Sequence, residues 1–162
     1  MILAGDVGGT HTRLAFFEGG KQVGTDQTFP SRDFQSLEEI VKKILPKHKI
    51  GRACFGIAGP VREGRCEATN LPWIIDARAM ERNLGIEQVD LLNDLEANAH
   101  GIAALPESEL FLLQKGAPHP KGNRALISAG TGLGEAGLYW NGSDYFPFAS
   151  EGGHADFAPR TQ

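Results

Sequence analysis

Two segments of this 162-residue chain carry residues whose types and spacing suit chemistry rather than core packing. Near the start, residues 5–10 read Gly-Asp-Val-Gly-Gly-Thr, in which a carboxylate and a glycine pair follow an apolar run. Near the end, residues 150–154 read Ser-Glu-Gly-Gly-His, with a carboxylate and an imidazole on either side of two glycines. Glycines let backbone N–H groups approach an anion, and carboxylates bind hydroxyl groups or the water shell of Mg²⁺. The pattern predicts a site for a polyhydroxy compound beside a polyphosphate.

A further glycine-rich segment, Gly130–Gly134, lies between two predicted strands. It lacks the Gly-Lys-Ser/Thr ending of a P-loop, and no helix follows it as in a dinucleotide-binding fingerprint. Taken alone, this segment is best explained as a hairpin turn, and a plain turn explains Asp6–Thr10 about equally well. Two such turns, each at the start of a new β-hairpin, favour a phosphate group held between two domains.

Asn93 and Asp94 lie where a predicted strand ends and a helix begins. Ligands of open α/β sheets gather at the carboxyl ends of strands, so Asp94 is a candidate catalytic base. The alternative is a helix N-cap, a role that Asp fills often. The two roles are compatible, because phosphoryl transfer from a polyphosphate to a hydroxyl needs the carboxylate only to orient that hydroxyl and take its proton late in the transfer.

Three other polar residues are candidates for binding a sugar. Glu151 has the oxygens to accept hydrogen bonds from two adjacent hydroxyls, and His154 is placed to bond another. A zinc pair is the chemical alternative, although this cysteine-poor chain offers no obvious further ligands, and a solvated loop is the simplest one. Asn70 suits a vicinal diol or a plain turn, whereas the nearby Trp73 is expected to pack in the core.

Composition places the chain in the class of soluble globular proteins, with 41% hydrophobic and 22% charged residues. A formal net charge of −4 and the lack of any Lys/Arg run argue against a nucleic-acid partner. The apolar runs have the length of strands, so we expect neither a membrane span nor a signal peptide. Cys54 and Cys66 are interpreted as reduced thiols, which indicates a cytoplasmic protein.

Hydrophobic periodicity and turn residues predict the order β-β-β-α-β-(β)-α-β-α, a mixed α/β arrangement whose sheet begins with a hairpin. Asp33 is the predicted N-cap of the first helix, and Asp76 with Gly85 bounds the second. The predicted elements are strands at 1–6, 12–17, 22–29, 52–59 and 89–92, a hairpin at 61–68, helices from the Asp33 cap to 45, from the Asp76 cap to 84 and over 94–104, and a second hairpin from strands 124–128 and 135–140. We expect a small N-terminal domain at 1–113, a linker at 114–123 and the beginning of a large domain at 124–162.

Together these motifs resemble the bacterial glucokinase family, which belongs to the actin-like ATPase (ribonuclease H-like) superfamily. The resemblance covers essentially the whole chain, and its motifs occur in the family's order. They are Gly-Asp-Val-Gly-Gly-Thr at 5–10, Gly-Ile-Ala-Gly-Pro-Val at 56–61, Thr-Asn-Leu-Pro-Trp at 69–73, Leu-Asn-Asp-Leu-Glu-Ala at 92–97, Gly-Thr-Gly-Leu-Gly at 130–134 and Ser-Glu-Gly-Gly-His at 150–154. The fold that the resemblance implies is an α/β domain with a mixed five-stranded sheet, followed by the start of a second α/β domain.

The resemblance also implies residue roles and a reaction. The reaction is phosphorylation of D-glucose at the 6-hydroxyl by ATP with Mg²⁺, the entry step of glycolysis, and the family is often dimeric. Asp94 matches the catalytic base and takes part in substrate binding. Asn93, Glu151 and His154 match glucose-binding positions, and Asn70 is a further expected contact. The first phosphate loop matches Asp6, Val7, Gly8, Gly9 and Thr10, with Asp6 reaching Mg²⁺ through water, and the second matches Gly130, Thr131, Gly132 and Gly134.

The chain is about half as long as the family's usual members, so we expect a truncated portion that lacks the adenosine-binding segment. Three functions stay open: a glucokinase portion, a non-catalytic sugar-binding or regulatory fragment, and an actin-like or chaperone-like ATPase indifferent to sugar. The pair Glu151 and His154 argues against the last. The sister ROK kinases and repressors carry a cysteine-rich zinc motif after the histidine or an N-terminal helix-turn-helix, and this sequence has neither pattern.

Overall fold

The computed structural model describes residues 1–46, 49–117, 121–130 and 132–155. Contacts divide the chain into two compact units, Met1–Asp94 and Leu95–Gln162. The domain boundaries expected at 113 and 124 stay a prediction, and part of the expected linker, residues 118–120, lies outside the described residues. In the portion that the structure describes, no helix is long and apolar enough to cross a membrane.

The first unit is built on a five-stranded mixed sheet in the order β3-β2-β1-β4-β8. Its elements are β1 (Ile2–Val7), β2 (His11–Glu18), β3 (Lys21–Pro30), α1 (Leu37–Ile44), β4 (Arg52–Ile57), β5 (Val61–Arg62), β6 (Arg65–Glu67), β7 (Ile74–Asp76), α2 (Ala77–Leu84) and β8 (Gln88–Asn93). Strand β1 pairs antiparallel with β2 and parallel with β4, which in turn pairs parallel with β8. The predicted mixed five-stranded sheet is therefore confirmed.

The core of this unit lies between the sheet and the two helices. Apolar residues of β1 and β4, among them Leu3 and Phe55, are completely buried. Helix α1 buries Leu37, Ile40 and Val41, which recur at intervals of three and four residues and so form one apolar face. Burial of these side chains is the main stabilising contribution, and it fixes which face of each strand points inward.

Helix ends follow local hydrogen-bonding rules, with one correction to the sequence prediction. Asp76 caps α2 by accepting from the N–H of Ala79 at 2.8 Å, and Gly85 ends the helix in the left-handed conformation, as predicted. The prediction that Asp33 caps α1 is wrong. Ser36 is the cap, with its hydroxyl oxygen accepting from the N–H of Glu39 at 3.3 Å.

A separate three-stranded sheet in the order β5-β6-β7 adds a strand to the hairpin predicted at 61–68. The sequence analysis missed β7 because it is three residues long and runs directly into α2. Helix α3 (Asp94–Gly101) begins at the last residue of the first unit and is shorter than the predicted 94–104 helix. A single 3₁₀ turn at Ile102–Ala104 continues it.

The second unit contains an antiparallel sheet in the order β11-β10-β9, made of β9 (Arg124–Ala129), β10 (Leu133–Trp140) and β11 (Tyr145–Ser150). The hairpin of β9 and β10 was predicted, whereas β11 was missed. Pro147 lies inside β11, and a proline lowers the expectation of a strand because it removes a backbone donor. Ala99, Ala136 and Leu138 form a small buried cluster in this unit.

The corrected helix start gives a first testable expectation. Ser36→Ala should lower the free energy of unfolding by about 1 kcal/mol, because the N–H of Glu39 loses its side-chain acceptor. Asp33→Ala is the matched control, and it should change stability by less than about 0.5 kcal/mol. Urea unfolding followed by circular dichroism measures both. A larger loss for Asp33→Ala would restore Asp33 as the cap.

Candidate functional site

The carboxyl ends of three parallel strands lie side by side in one row along one end of the first unit's sheet, here called the site edge of the sheet. Val7 of β1 pairs with Ile57 of β4, and Ile57 pairs with Asn93 of β8, all in parallel register. The glycine turn at 8–10 follows β1, and Asp94 opens α3 directly after β8. Carboxyl ends of parallel strands are where α/β folds bind ligands. The fold thus brings the first glycine turn and the Asn93–Asp94 pair to the same edge.

The first glycine turn is a tight hairpin between β1 and β2. The N–H of Gly8 donates to the carbonyl of His11 at 3.0 Å, while Asp6 and Thr10 are exposed. Ser31 holds the turn from beneath, since its hydroxyl donates to the Gly8 carbonyl at 2.8 Å and its N–H to the Thr10 carbonyl at 2.9 Å. The turn is therefore braced on its inner side and open on its outer side.

Asn70 lies directly against this turn. A Cβ atom built on Gly9 would approach the Cβ of Asn70 to 2.6 Å, so only glycine fits at position 9 without a shift. The Asn70 segment is anchored by Trp73, which is 2% exposed and donates from its indole nitrogen to the carbonyl of Phe34 at 3.2 Å. The expectation that Trp73 packs in the core is confirmed. Asn70 itself is exposed beside the turn.

Asn93 is buried, and the structure shows a partner that sequence reasoning did not consider. Its side-chain amide donates to the carbonyl of Gly59 at 3.2 Å. Gly59 has φ of 154°, and a Cβ there would lie 3.0 Å from the carbonyl oxygen of Glu67. Asn93 thus holds the turn that follows β4, and its contact with sugar stays a prediction.

Asp94 is half-buried at the first position of α3, and its charge acts on the buried thiol of Cys66. The pKa of the Cys66 thiol is raised, first by its own burial, then by the negative charge of Asp94 and that of Glu67. The thiol therefore stays protonated near neutral pH and presents a neutral surface near Asp94.

In the second unit, the glycine-rich segment is divided between a turn and a strand. The N–H of Gly130 donates to the carbonyl of Gly132 at 2.9 Å and closes the turn. Gly134 is already in β10, where an added Cβ would come within 2.8 Å of the Leu95 side chain. Thr131 lies outside the described residues. Gly134 thus packs closely against Leu95, and its contact with phosphate stays a prediction.

Glu151 and His154 lie around a 3₁₀ turn at Gly152–His154 that follows β11. The Nε2 atom of His154 is 3.5 Å from Oε2 of Glu151, and both side chains are exposed. A Cβ on Gly153 would overlap the carbonyl oxygen of Leu133, the first residue of β10. The carboxylate–imidazole pair is therefore packed beside the glycine turn of its own unit.

Sequence reasoning missed residues that support the site. Ser31 and Thr12 are completely buried, with their hydroxyl oxygens 3.0 Å apart beneath the first turn. Glu135 of β10 fills the space beside Gly152 with its carboxylate. A hydroxyl next to a glycine turn was a signal for Thr12, but no local pattern points to Ser31, which is 23 residues from Gly8.

The residues at this edge fit a magnesium ion that arrives with phosphate groups. The described residues hold no cluster of three or more His, Cys, Asp and Glu side chains suited to a metal. Mg²⁺ in phosphate sites keeps several waters and takes one or two carboxylates. Asp6 supplies one exposed carboxylate at the edge.

The hairpin-fed mixed sheet defines the class: it is the actin-like ATPase fold. Glucokinase from an Antarctic psychrotroph superposes with a TM-score of 0.79 and 31% identity, over 99% of this chain and 52% of that one. Glucokinase from Balamuthia mandrillaris, solved with glucose, shares the fold with a TM-score of 0.69 and 21% identity, over 98% of this chain and 49% of that one.

Within that class, the chain belongs to the glucokinase family, whose model, described as Glucokinase, matches residues 3–162. The glucokinase of Nostoc punctiforme is 41% identical over an alignment of 169 positions, gaps included, which covers 100% of this chain and 50% of that protein. The glucokinase of Mesorhizobium japonicum is 35% identical over an alignment of 164 positions, gaps included, which covers 99% of this chain and 48% of that protein. The chain spans about half the length of the curated relatives it matches. The predicted family is confirmed.

Because Gly9 lies so close to Asn70, a side chain at position 9 should destabilise the fold. Gly9→Ala should lower the free energy of unfolding by about 1–3 kcal/mol, because its methyl group displaces Asn70 or the turn. Gly116→Ala is the matched control, since nothing lies within 4 Å of a Cβ there. The double variant Gly9→Ala/Asn70→Gly should regain part of the loss. Equal unfolding midpoints for the two single variants in urea would contradict the close approach.

The effect of the Asp94 charge on the pKa of Cys66 is measurable without any activity. In a Cys54→Ser background, the ¹³Cβ shift of Cys66 should titrate with a pKa above that of free cysteine. Asp94→Asn should lower this pKa, because a negative charge that opposes the thiolate is removed, yet burial should keep it raised. Asp90→Asn, which removes the same charge from an exposed residue of β8, is the control. Equal titrations for the two variants would show that Asp94 does not face the thiol.

Proposed function

We propose that the protein carrying this chain is an ATP-dependent glucokinase that phosphorylates D-glucose at its 6-hydroxyl, the entry step of glycolysis. Membership of the glucokinase family supports the reaction. The single observation that supports it most directly is the row of strand ends, where the glycine turn and Asp94 lie on one sheet edge. Phosphoryl transfer needs a phosphate cradle and a base in that relation.

In the proposed reaction, the sugar 6-oxygen forms a bond to the γ-phosphorus as the bond from that phosphorus to the ADP oxygen breaks. Asp94 orients the hydroxyl and accepts its proton as the transfer proceeds. The half-buried position of Asp94 limits its motion and its access to water. Positioning supplies most of the rate enhancement in this class of reaction, which agrees with a base held by strand β8 and helix α3.

Sugar-binding roles are assigned to one set of side chains and phosphate-binding roles to another. Hydroxyl groups of glucose would be bound by Asn70, Asn93, Asp94, Glu151 and His154. Phosphate groups would be bound by the backbone of Asp6–Thr10 and by Gly130, Thr131, Gly132 and Gly134. The pairing of His154 with Glu151 supports their proposed role in sugar binding, because it orients the imidazole while the carboxylate stays exposed to hydroxyl donors. When bound, Mg²⁺ neutralises phosphate charge, and Asp6 would hold it through water.

Location and assembly complete the proposal. A cytoplasmic protein agrees with the free thiols of Cys54 and Cys66. A homodimer is the assembly that the family implies, and the partners would be glucose and ATP.

A second candidate is a non-catalytic sugar-binding or regulatory fragment. The observation that favours it is the coverage of about half the length of the relatives. It predicts that the chain binds glucose in calorimetry without releasing ADP from MgATP when glucose is added. Glucose-dependent ADP release by the chain itself would exclude it.

Replacement of the proposed base tests the mechanism. In the full-length protein, Asp94→Asn should lower kcat on the order of 10²-fold or more, with KM for glucose changed less, because the amide cannot take the proton. Asp90→Asn makes the same change in charge on β8, at an exposed residue bonded to the Gln88 side chain at 2.9 Å. It should keep kcat within about twofold. A coupled assay of ADP release measures both, and an unchanged kcat in Asp94→Asn would refute the assignment.

A further inference from the structure

Buried polar side chains are rare in this molecule and lie at one place. Among the described residues, those that are buried are Thr12, Ser31 and Asn93, and each lies at the sheet edge that carries the first glycine turn. Burying a hydroxyl costs free energy unless hydrogen bonds replace its water. Thr12 and Ser31 lie beneath this turn, whereas Asn93 lies at the end of β8 and holds the turn that follows β4.

Ser31 bonds to the backbone on both sides of Gly9. Its hydroxyl donates to the carbonyl of Gly8 at 2.8 Å, and its N–H donates to the carbonyl of Thr10 at 2.9 Å. A trans peptide group is planar, and its C=O and N–H point in opposite directions. The N–H of Gly9, in the same peptide group as the Gly8 carbonyl, must therefore point away from Ser31.

Thr12 completes the arrangement. Its hydroxyl oxygen lies 3.0 Å from that of Ser31. Since the single hydroxyl proton of Ser31 is committed to the Gly8 carbonyl, the Thr12 hydroxyl must be the donor between the two side chains. Thr12, Ser31 and the Gly8 carbonyl thus form a directed chain of hydrogen bonds, in which each bond polarises the next.

We infer that Ser31, backed by Thr12, is a positioning residue that presets the backbone N–H of Gly9 to receive a phosphate group of the nucleotide. The inference rests on the proposed function, in which this turn is a phosphate loop. Ser31 is completely buried and acts only through the turn. Glycines are free to adopt many conformations, so a pair of them forms a defined anion cradle only where other groups fix the peptide planes.

The test compares serine variants of the full-length protein. Ser31→Ala should raise the dissociation constant for MgATP roughly tenfold, which is the scale of one misaligned hydrogen bond. The dissociation constant for glucose should change by less than twofold. Ser36→Ala is the matched control: it removes a bonded serine hydroxyl five residues away, at the helix α1 cap. It should lower stability and leave both constants unchanged. Calorimetry measures each ligand separately.

Variants of Thr12 make the test independent of whether Ser31→Ala folds. Thr12→Val keeps the shape and removes the donor, so it should weaken MgATP binding in the same direction by a smaller factor. Thr12→Ser keeps the hydroxyl and should bind MgATP like the unmodified protein. Equal dissociation constants for MgATP in Thr12→Val and Thr12→Ser would overturn the inference. So would a Ser31→Ala variant whose binding of glucose is weakened as much as its binding of MgATP.

Failure of the proposed function is separable from failure of this inference. Lack of sugar phosphorylation by the unmodified protein would contradict the glucokinase assignment. The role of Ser31 is decided by the dissociation constants for MgATP and glucose, not by turnover. Their agreement between Ser31→Ala and the unmodified protein would overturn it, whatever the turnover.

Discussion

The parallel row Val7, Ile57 and Asn93 joins the ends of three strands at one edge of the sheet, and the site depends on it. Shifting any of these strands by one residue would exchange its buried face for its exposed face. Burial of Leu3 and Phe55, both completely inaccessible, opposes such a shift. The hydrophobic core therefore sets the register, and the register sets the distance from the first glycine turn to Asp94. The geometry of the candidate site therefore follows from the packing of the core.

Glycine turns require bracing, and the interior polar groups provide it. A Gly-Gly turn loses more conformational entropy on ordering than other turns, so it is held only where hydrogen bonds offset that cost. Ser31 bonds the Gly8 carbonyl, and Asn93 bonds the Gly59 carbonyl. Within the described part of the chain, no buried side-chain donor or acceptor lacks a partner. The two turns that follow β1 and β4 are thus each held by a buried side chain.

Most of the fold was predictable because its signals are local. Alternating apolar residues, the Asp76 cap and Gly85 each act within a few residues, and the elements they predict are present. The start of α1 was misplaced although the sequence held the answer: Ser36 is followed three residues later by Glu39, a capping-box spacing that Asp33 lacks. Ser31 was out of reach, because its bond to Gly8 joins residues 23 apart and exists only after β3 has paired. The residue types alone suggested which side chains bind ligands, whereas the residues that hold those side chains and turns in place, such as Ser31, are apparent only in the tertiary structure.

The central claim is that the edge bearing Gly8–Thr10, Asn70 and Asp94 receives the nucleotide phosphates beside the sugar. Backbone amide spectra of the ¹⁵N-labelled full-length protein with glucose and ATP, recorded as Mg²⁺ is replaced by paramagnetic Mn²⁺, test it most directly. Signals of Gly8, Gly9 and Asn70 should broaden most. The Gly19–Gly20 turn, at the opposite end of β2 and open around each Cβ position, is the internal control and should be spared. Broadening at Gly19–Gly20 with none at Gly8 and Gly9 would contradict the account.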